Sequence, residues 1–309
     1  MVETVPRGRY APSPTGRLHL GNARTALLSW LDIRLCRGTY VMRIEDVDTQ
    51  RSKPEFETRL LGDLRWLGLD WDEGPDVGGP YGPYRQSECG PRYQRELAKL
   101  ATFACSCTRK ELAGFPRGHG GEVIYPGTCR QGPVEPTRAC AIRWQPPTGQ
   151  VGFCDRLAGT VIEDVAQEVG DVLLRRRDGD WAYQFAVVVD DAAMGITDVM
   201  RGADLLASTA RQIHLARALG YPEPRHAHVP LIFGKDGQKL SKRHGAPDLS
   251  ALRERGVDPK LVVAALARSV GLIGNDITGL APSDLVDLCR SRGGEATNAG
   301  LPELEHRPL

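Results

Sequence analysis

Residues 9–21 read RYAPSPTGRLHLG, and this stretch decides the fold. It begins with a short extended segment, continues through a loop rich in proline and serine, and enters a helix at its end. Apolar residues recur at helical spacing from Leu20 to Leu35, and residues 40–44, which read YVMRI, are predicted to form a buried strand. This order predicts a βαβ unit and therefore an α/β fold with an open, largely parallel sheet. In such sheets ligands bind at the carboxyl ends of the strands, where this loop lies.

The composition is that of a globular protein with about two domains. The chain has 309 residues, of which 41% are hydrophobic and 26% are charged. Its formal net charge of +1 argues neither for nor against a nucleic-acid partner. No apolar run approaches the roughly 20 residues of a membrane span, and residues 1–9 lack the apolar stretch of a signal peptide. We therefore expect a cytoplasmic protein that does not enter a membrane.

The predicted elements divide the chain into four segments. Residues 1–89 and 182–247 are expected to form the two halves of the α/β domain, 90–181 an inserted subdomain, and 248–309 a short helical C-terminal extension. The elements expected in the second and third segments are a helix near 93–103 and strands over 139–144, 171–177 and 229–233.

Cap residues mark three later helices. Ser208 and Gly220 flank the first, and Asp258 followed by Pro259 opens the second. Ser283 is expected to open the third.

The tetrapeptide His19-Leu20-Gly21-Asn22 lies where the first loop enters the first helix. A phosphate bound there would meet free backbone N–H groups, the positive end of the helix dipole and the His19 imidazole. Gly21 allows close approach of a ligand, and His19 can donate a hydrogen bond to charge that develops on a phosphoryl oxygen. Taken alone, the four residues also fit a surface or capping histidine.

Residues 239–243 read KLSKR and follow the strand predicted over 229–233. Lys239, Lys242 and Arg243 could clamp a polyphosphate. Taken alone, the segment also fits a solvated charged loop. Together with an HxGN turn after the first strand, it indicates a nucleotide site.

The two segments resemble the HIGH and KMSKS signatures of class I aminoacyl-tRNA synthetases, which activate an amino acid with ATP at the crevice of a Rossmann-like sheet. Further segments are similar to the glutamyl members of that class: RYAPSPTGRLHLG (9–21), RIEDVD (43–48), YRQSE (84–88), VVVDD (187–191) and RGADL (201–205). The matches follow the family's order through residues 8–247. Asn22 replaces the last histidine of HIGH and Leu240 replaces the methionine of KMSKS. The phosphate-handling residues are kept.

The resemblance implies three sets of site residues, of which the catalytic and ATP-binding sets overlap. The catalytic residues are expected to be His19, Gly21, Lys239 and Lys242. ATP, accompanied by Mg²⁺, is expected to contact His19, Gly21, Asn22 and Lys242. L-glutamate is expected to lie among Arg9, Tyr10, Ala11, Pro12, Ser13, Glu45, Tyr183 and Arg201.

The charges of the predicted amino-acid site match glutamate, which carries two carboxylates and one ammonium. Glu45 suits the ammonium, and Arg9 and Arg201 can each bind a carboxylate bidentately. We favour Arg201 for the side-chain carboxylate, although the sequence leaves the division between the two arginines open. The alternative is that Arg43, Glu45 and Asp46 form a structural ion-pair cluster at a strand end. The position of Glu45 after the second strand, on the ligand side of the sheet, favours the binding role.

The cysteines predict a metal site in the inserted subdomain. Eight cysteines in a cytosolic chain do not indicate a disulfide framework, but Cys105, Cys107 and Cys129 lie close together in sequence. With a fourth ligand they would form a tetrahedral, structural Zn²⁺ site. Chemistry favours His119 as that ligand, because imidazole is a common zinc ligand. The resemblance favours Tyr125, because the family has C-x-C followed by Y-x₃-C, and Tyr125 is our prediction; the alternative is three reduced cysteines without metal.

The chain continues for 66 residues after Arg243. Ordinary glutamyl-tRNA synthetases continue into helical domains that read the anticodon, and 66 residues provide only a few short helices. A shortened, zinc-carrying chain resembles the glutamyl-queuosine tRNA(Asp) synthetase family, which esterifies glutamate to the queuosine base at the wobble position of that tRNA. The expected partners are therefore L-glutamate, ATP and queuosine-containing tRNA(Asp), and we expect a monomer that activates glutamate without tRNA.

Three other functions stay open. A minimal glutamyl-tRNA synthetase would charge the 3′ end of a tRNA. A class I-like nucleotidyltransferase would adenylate another small acid, but the glutamate-type pocket residues count against it. A synthetase-like binding module without catalysis would be favoured by loss of His19 or Lys242, and both are present.

Overall fold

The computed structural model of the chain describes residues 5–232 and 248–292. These residues form nine β-strands and ten α-helices. The strands are β1 (Arg7–Tyr10), β2 (Thr39–Met42), β3 (Thr102–Cys105), β4 (Ala141–Trp144), β5 (Gln150–Asp155), β6 (Gly159–Asp164), β7 (Val172–Arg175), β8 (Asp198–Gly202) and β9 (Arg225–Val229). The helices are α1 (Leu20–Leu35), α2 (Pro54–Trp66), α3 (Gly90–Leu97), α4 (Arg109–Leu112), α5 (Val165–Glu168), α6 (Tyr183–Ala193), α7 (Thr209–Leu219), α8 (Leu249–Glu254), α9 (Pro259–Arg268) and α10 (Pro282–Arg292). None of the helices among these residues is long and apolar enough to cross a membrane.

The predicted βαβ unit at the start of the chain is confirmed. β1 and β2 lie side by side in parallel, with Gly8 opposite Tyr40. α1 connects them and is buried on most of its circumference, including Leu27, Leu28 and Leu31. It is enclosed because the sheet covers one side and the C-terminal helices cover another, so a single apolar core joins all three.

A six-stranded sheet in the order β2-β1-β8-β9-β5-β6 forms the centre of the molecule. All its neighbouring strands are parallel except β5 and β6, which form an antiparallel hairpin. The carboxyl ends of β1, β8 and β9 therefore meet at one edge. The strand order reverses at β1, and a crevice at such a point is where α/β proteins bind ligands.

Residues 90–181 contribute to two sheets, which differs from the expected single inserted subdomain. β3, β4 and β7 form a separate three-stranded antiparallel sheet. The β5–β6 hairpin instead extends the six-stranded sheet through the pairing of Asp155 with His226. The sequence did not predict this hairpin, because the alternation of residues 150–155 contains few apolar side chains: Val151 is buried, whereas Gly152 and Cys154 are exposed.

Several predicted boundaries shift for local reasons. The helix expected near 93–103 is α3, which begins earlier, at Gly90-Pro91, and ends at Leu97, because residues 102–105 pair with β4. The strand expected over 229–233 is β9, which ends before Pro230, since proline has no N–H to donate to a sheet. Phe233 lies outside the described residues.

Two of the four predicted helix caps, Gly220 and Asp258, are correct. Gly220 follows α7 in the left-handed conformation with φ +73°, and Asp258 caps α9 by accepting a hydrogen bond from the Lys260 N–H. Ser208 precedes α7, but its hydroxyl accepts a hydrogen bond from Gln184 at 2.9 Å instead of capping the helix. α10 begins at Pro282, one residue before Ser283.

Candidate functional site

A crevice of about 620 Å³ opens at the carboxyl ends of β1 and β8. It is lined by every predicted ATP and glutamate residue within the described parts of the chain: Arg9, Tyr10, Ala11, Pro12, Ser13, His19, Gly21, Asn22, Glu45, Tyr183 and Arg201. Lys239 and Lys242 lie outside the described residues. The structure therefore brings the predicted first-loop and strand-end residues together around one crevice.

The turn into α1 is closed by His19. The His19 backbone is extended, with φ −92° and ψ 166°, and its Nδ1 accepts a hydrogen bond from the Asn22 N–H at 3.3 Å. A side chain on Gly21 would place its Cβ 3.0 Å from the His19 ring. Glycine therefore lets the imidazole fold over the first turn, beside the N–H groups that a helix start leaves free for an anion.

A buried charge network lies beneath the amino-acid side of the crevice. The Arg43 guanidinium is fully buried and donates hydrogen bonds to Asp191 at 2.6 Å and Glu45 at 3.1 Å. Arg9 donates to the same Asp191 oxygen at 3.2 Å. Burial would lower the pKa of Arg43, but Asp191 and Glu45 raise it above the ordinary value. The network fixes Glu45 and Arg9, the two residues through which it reaches the crevice.

The alternative, a structural ion-pair cluster of Arg43, Glu45 and Asp46, is present only in part. Arg43 and Glu45 do pair, whereas Asp46 points away and accepts hydrogen bonds from the Ser87 N–H and hydroxyl at 2.8 and 2.6 Å. Glu45 also lines the crevice, so pairing and ligand contact are compatible. Burial raises the pKa of Glu45, although Arg43 and Arg9 oppose the rise. A bound ammonium group would favour the carboxylate form and compensate its charge.

Arg201 is held differently from Arg9. Its Nε donates to His228 Nε2 at 3.0 Å and its Nη2 donates to the Thr209 hydroxyl at 2.9 Å. Its Nη1 is buried and has no hydrogen-bond partner among the described residues. Burial lowers the pKa of Arg201. A buried guanidinium with a spare donor is costly unless an anion pairs with it.

Sequence reasoning missed several residues that organise the crevice. The sequence places Asp191 only within the VVVDD segment, and it predicts no role for Thr209 or His228. Arg24 also lines the crevice although it is only 1% exposed, and its Nη2 donates to the Pro230 carbonyl oxygen. The signal for Arg24 was that it is the one charged residue between Leu20 and Leu31 of the first helix. For His228 the signal was a polar residue inside a buried strand.

The three clustered cysteines come together as predicted. The sulfur atoms of Cys105, Cys107 and Cys129 all lie within 4.8 Å of one another. Three sulfurs on one tetrahedral zinc ion would be about 3.8 Å apart, so the spacing fits zinc. Burial raises the pKa of the Cys129 thiol, but hydrogen bonds, first from the Val134 backbone, outweigh it and lower the pKa to about 6. The thiolate that a metal requires is therefore favoured at this position.

The structure places Tyr125, not His119, beside the sulfurs. The Tyr125 hydroxyl lies 3.3 Å from the Cys105 sulfur and 3.7 Å from the Cys107 sulfur. The His119 side chain is 81% exposed and contacts Glu168 at 3.4 Å. Among the described residues, the Tyr125 hydroxyl lies closer to the sulfurs than the Ser106 hydroxyl, which is 3.9 Å from the Cys129 sulfur, and is the better placed fourth donor.

Comparisons with known proteins agree with this geometry. The model of the family described as tRNA synthetases class I (E and Q), catalytic domain, matches residues 5–278. The chain is 49% identical to the glutamyl-Q tRNA(Asp) synthetase of Symbiobacterium thermophilum, over 86% of its own length and 87% of that relative. It is 47% identical to the glutamate–tRNA ligase of an Anaeromyxobacter species over 85% of its own length, but covers only 57% of that relative. It also superposes on the crystal structure of a glutamate–tRNA synthetase from Elizabethkingia anophelis with a TM-score of 0.78 at 29% identity, covering 92% of this chain and 65% of that one.

Proposed function

The chain belongs to the class I tRNA synthetases (E and Q), and we propose that it activates L-glutamate with ATP and transfers the glutamyl group to the queuosine base at the wobble position of tRNA(Asp). Relatives that it matches over most of their length, at 45–49% identity, are named glutamyl-Q tRNA(Asp) synthetase. The first step joins a glutamate carboxylate oxygen to the α-phosphorus of ATP. The bond from that phosphorus to the bridging oxygen breaks, and pyrophosphate leaves with the electron pair.

The glutamate assignment rests on the Arg201 guanidinium, which keeps a hydrogen-bond donor without a partner among the described residues. Arg9 already pairs with Asp191, whereas Arg201 forms no salt bridge with a described residue and keeps Nη1 free of partners there. A second carboxylate on the substrate would satisfy that donor and compensate the buried charge. This supports Arg201 as the residue for the side-chain carboxylate. Glu45 then receives the ammonium group, and Tyr183 lines the same side of the crevice.

The ATP phosphates are assigned to the start of α1. His19, Gly21 and Asn22 form the turn there, and the helix dipole favours negative charge at that end. In this assignment His19 stabilises the α-phosphate during displacement, and Lys239 and Lys242 act on the phosphates from the KLSKR segment. Mg²⁺ would accompany ATP as part of the substrate.

Pyrophosphate exchange tests the activation step. With glutamate, ATP and Mg²⁺, the protein is expected to exchange labelled pyrophosphate into ATP without any tRNA, because one crevice holds the predicted glutamate residues beside His19, Gly21 and Asn22 of the predicted ATP site. Aspartate should support little exchange because its side chain is too short. Glutamine should support little exchange because its side chain carries no carboxylate. Exchange with another acid but not with glutamate would favour the nucleotidyltransferase alternative, and no exchange with any acid would favour the binding module. An absolute requirement for tRNA would contradict activation ahead of acceptor binding.

We further propose that Cys105, Cys107, Tyr125 and Cys129 hold a Zn²⁺ ion. A closed four-ligand site of this kind supplies folding energy instead of chemistry, so its role would be to hold the small three-stranded sheet and its loops in shape. Cys105 ends β3, and Arg177 donates hydrogen bonds to the carbonyl oxygens of Ser106 and Cys107 at 2.8 and 2.7 Å. These contacts support a pre-shaped loop around the ion.

Metal analysis of the purified protein is expected to find about one zinc per chain. Cys129→Ser should release it and loosen residues 105–129 toward proteolysis, while leaving pyrophosphate exchange within a few-fold. Tyr125→Phe removes only the hydroxyl and should weaken zinc retention, whereas His119→Ala is the matched control and should not. Retention of zinc by Tyr125→Phe together with its loss from His119→Ala would show that the fourth ligand is wrong, and metal-free native protein would refute the site.

We also infer that the protein works as a monomer in the cytoplasm. The predicted glutamate residues and the described ATP residues line a single crevice, so this part of the site does not need a second copy to complete it. ATP, glutamate and tRNA are all found in that compartment.

A further inference from the structure

A chain of hydrogen bonds runs behind the crevice from Asp155 through His228 to Arg201. We propose that His228, oriented by Asp155, is a positioning residue that fixes the Arg201 guanidinium and thereby sets the selectivity for an amino acid with a carboxylate side chain. This inference rests on the proposed role of Arg201 in glutamate binding.

The three residues come from neighbouring strands of the central sheet. Arg201 on β8 lies in register with His228 on β9, and β5, which ends at Asp155, pairs with β9 on its other side. The distance from Arg201 Nε to His228 Nε2 is 3.0 Å, and that from His228 Nδ1 to Asp155 Oδ2 is 2.5 Å. Because a guanidinium only donates, Nε2 must accept, and the imidazole proton must lie on Nδ1.

Asp155 is itself fixed by the backbone. Its Oδ1 accepts from the N–H groups of Leu157, Ala158 and His228 at 3.0, 2.8 and 3.1 Å. Burial would raise the pKa of this carboxyl group, but the His228 ring and the backbone N–H groups lower it below its ordinary value. Asp155 therefore remains an ionised acceptor, and it holds His228 in the tautomer that Arg201 requires.

Because its partner His228 is neutral, Arg201 keeps its positive charge available for a substrate carboxylate. A carboxylate in place of His228 would hold the guanidinium equally well, but would cancel the charge that attracts the substrate carboxylate. The imidazole orients the guanidinium and leaves its charge in place. Burial, and secondarily Arg201 itself, lowers the pKa of the stacked neighbour His226 to about 3, and burial also lowers the pKa of His228. Since Nε2 of His228 accepts from Arg201 Nε, that ring carries only the Nδ1 proton and adds no charge beside Arg201.

The directional test uses two variants of His228. In His228→Asn the amide can replace Nδ1 and donate to Asp155, but nothing accepts from Arg201 Nε. In His228→Gln the amide oxygen can replace Nε2 and accept from Arg201, but the donor to Asp155 is lost. A hydrogen bond to a charged group is worth roughly 10-fold to 100-fold in affinity, so His228→Asn should raise KM for glutamate in pyrophosphate exchange by that factor. His228→Gln should raise it by about 3-fold, with KM for ATP and the saturated exchange rate changed less than about 3-fold in both.

Discrimination against glutamine separates a positioning role of His228 from a merely structural one, because a structural role would leave this discrimination unchanged. The ratio of kcat/KM for glutamate to that for glutamine should fall in His228→Asn by the same factor as KM rises. If KM for glutamate is unchanged, or if KM for ATP rises equally, positioning by His228 is wrong. Should His228→Asn fail to fold, Asp155→Asn preserves shape and an acceptor, and should raise KM for glutamate by about 3-fold to 10-fold; no rise there would also overturn the proposal.

Arg201→Ala separates this proposal from the function on which it rests. If Arg201→Ala leaves KM for glutamate unchanged, the assignment of Arg201 to the substrate is wrong. If Arg201→Ala raises KM strongly while His228→Asn does not, the glutamate site stands and only the positioning role fails.

Discussion

Replacing His19 by alanine is expected to slow glutamate-dependent pyrophosphate exchange by about 10²-fold to 10³-fold, roughly 3 to 4 kcal/mol of transition-state stabilisation. The reason is that charge accumulates on the α-phosphate during displacement, and an imidazole at the start of α1 can donate to it. Because the interaction strengthens only in the transition state, KM for ATP should change much less than kcat. The measurement is the exchange rate at saturating glutamate over a range of ATP concentrations.

The geometry of His19 requires a control for its structural role. His19 Nδ1 accepts from the Asn22 N–H, so alanine also removes a helix cap, which costs about 1 kcal/mol of stability. His19→Asn is the matched variant, because asparagine is among the best capping residues and has no imidazole. Both variants should lose exchange, while only His19→Ala should melt earlier. Wild-type exchange in His19→Asn would mean that His19 merely caps the helix.

Local sequence was enough to predict the first half of the crevice. The turn at residues 12–22 follows β1 directly and enters α1, so its loop, its capping histidine and its place at the carboxyl end of the sheet all follow from neighbouring residues. The position of Glu45 after β2 follows from the same βαβ unit. Short-range patterns therefore predicted the βαβ unit and the place of its loop, whereas the roles of the residues that line this side of the crevice came from the family resemblance.

The other half depends on contacts between distant parts of the chain. Asp155, Arg201 and His228 meet only because β5, β8 and β9 are neighbours in the sheet, and their order cannot be derived from the pattern of any one strand. The same holds for Asp191, which contacts both Arg9 and Arg43, although these lie 182 and 148 residues earlier in the chain. The β5–β6 hairpin is hard to predict for the same reason. Its apolar and polar residues alternate only weakly, and the strand forms because it can pair with the edge of β9.

Transfer of glutamate is expected to occur to queuosine-containing tRNA(Asp) and not to the same tRNA with unmodified guanosine. The residues assigned to glutamate and ATP act in the activation step, which is the same for either acceptor, so we expect the surface around them to choose the hydroxyl. The chain covers only 57% of a curated glutamate–tRNA ligase but 87% of a curated glutamyl-Q tRNA(Asp) synthetase. An anticodon loop can present an unstacked base to such a surface, and the cyclopentene diol of queuosine provides the hydroxyl that the unmodified base lacks.

Radiolabelled glutamate offered to matched tRNAs decides between the two acceptors. Queuosine-containing tRNA(Asp) from which the terminal adenosine has been removed has no 3′ acceptor, and it should be glutamylated as well as the intact molecule. Nuclease digestion should then place the label in the fragment that contains the anticodon. Neither tRNA(Asp) with guanosine at the wobble position nor tRNA(Glu) should take up label. Efficient charging of intact tRNA(Glu), abolished by removal of its terminal adenosine, would instead identify a minimal glutamyl-tRNA synthetase. That outcome would leave the glutamate and ATP assignments intact, because both acceptors receive the glutamyl group from the same adenylate.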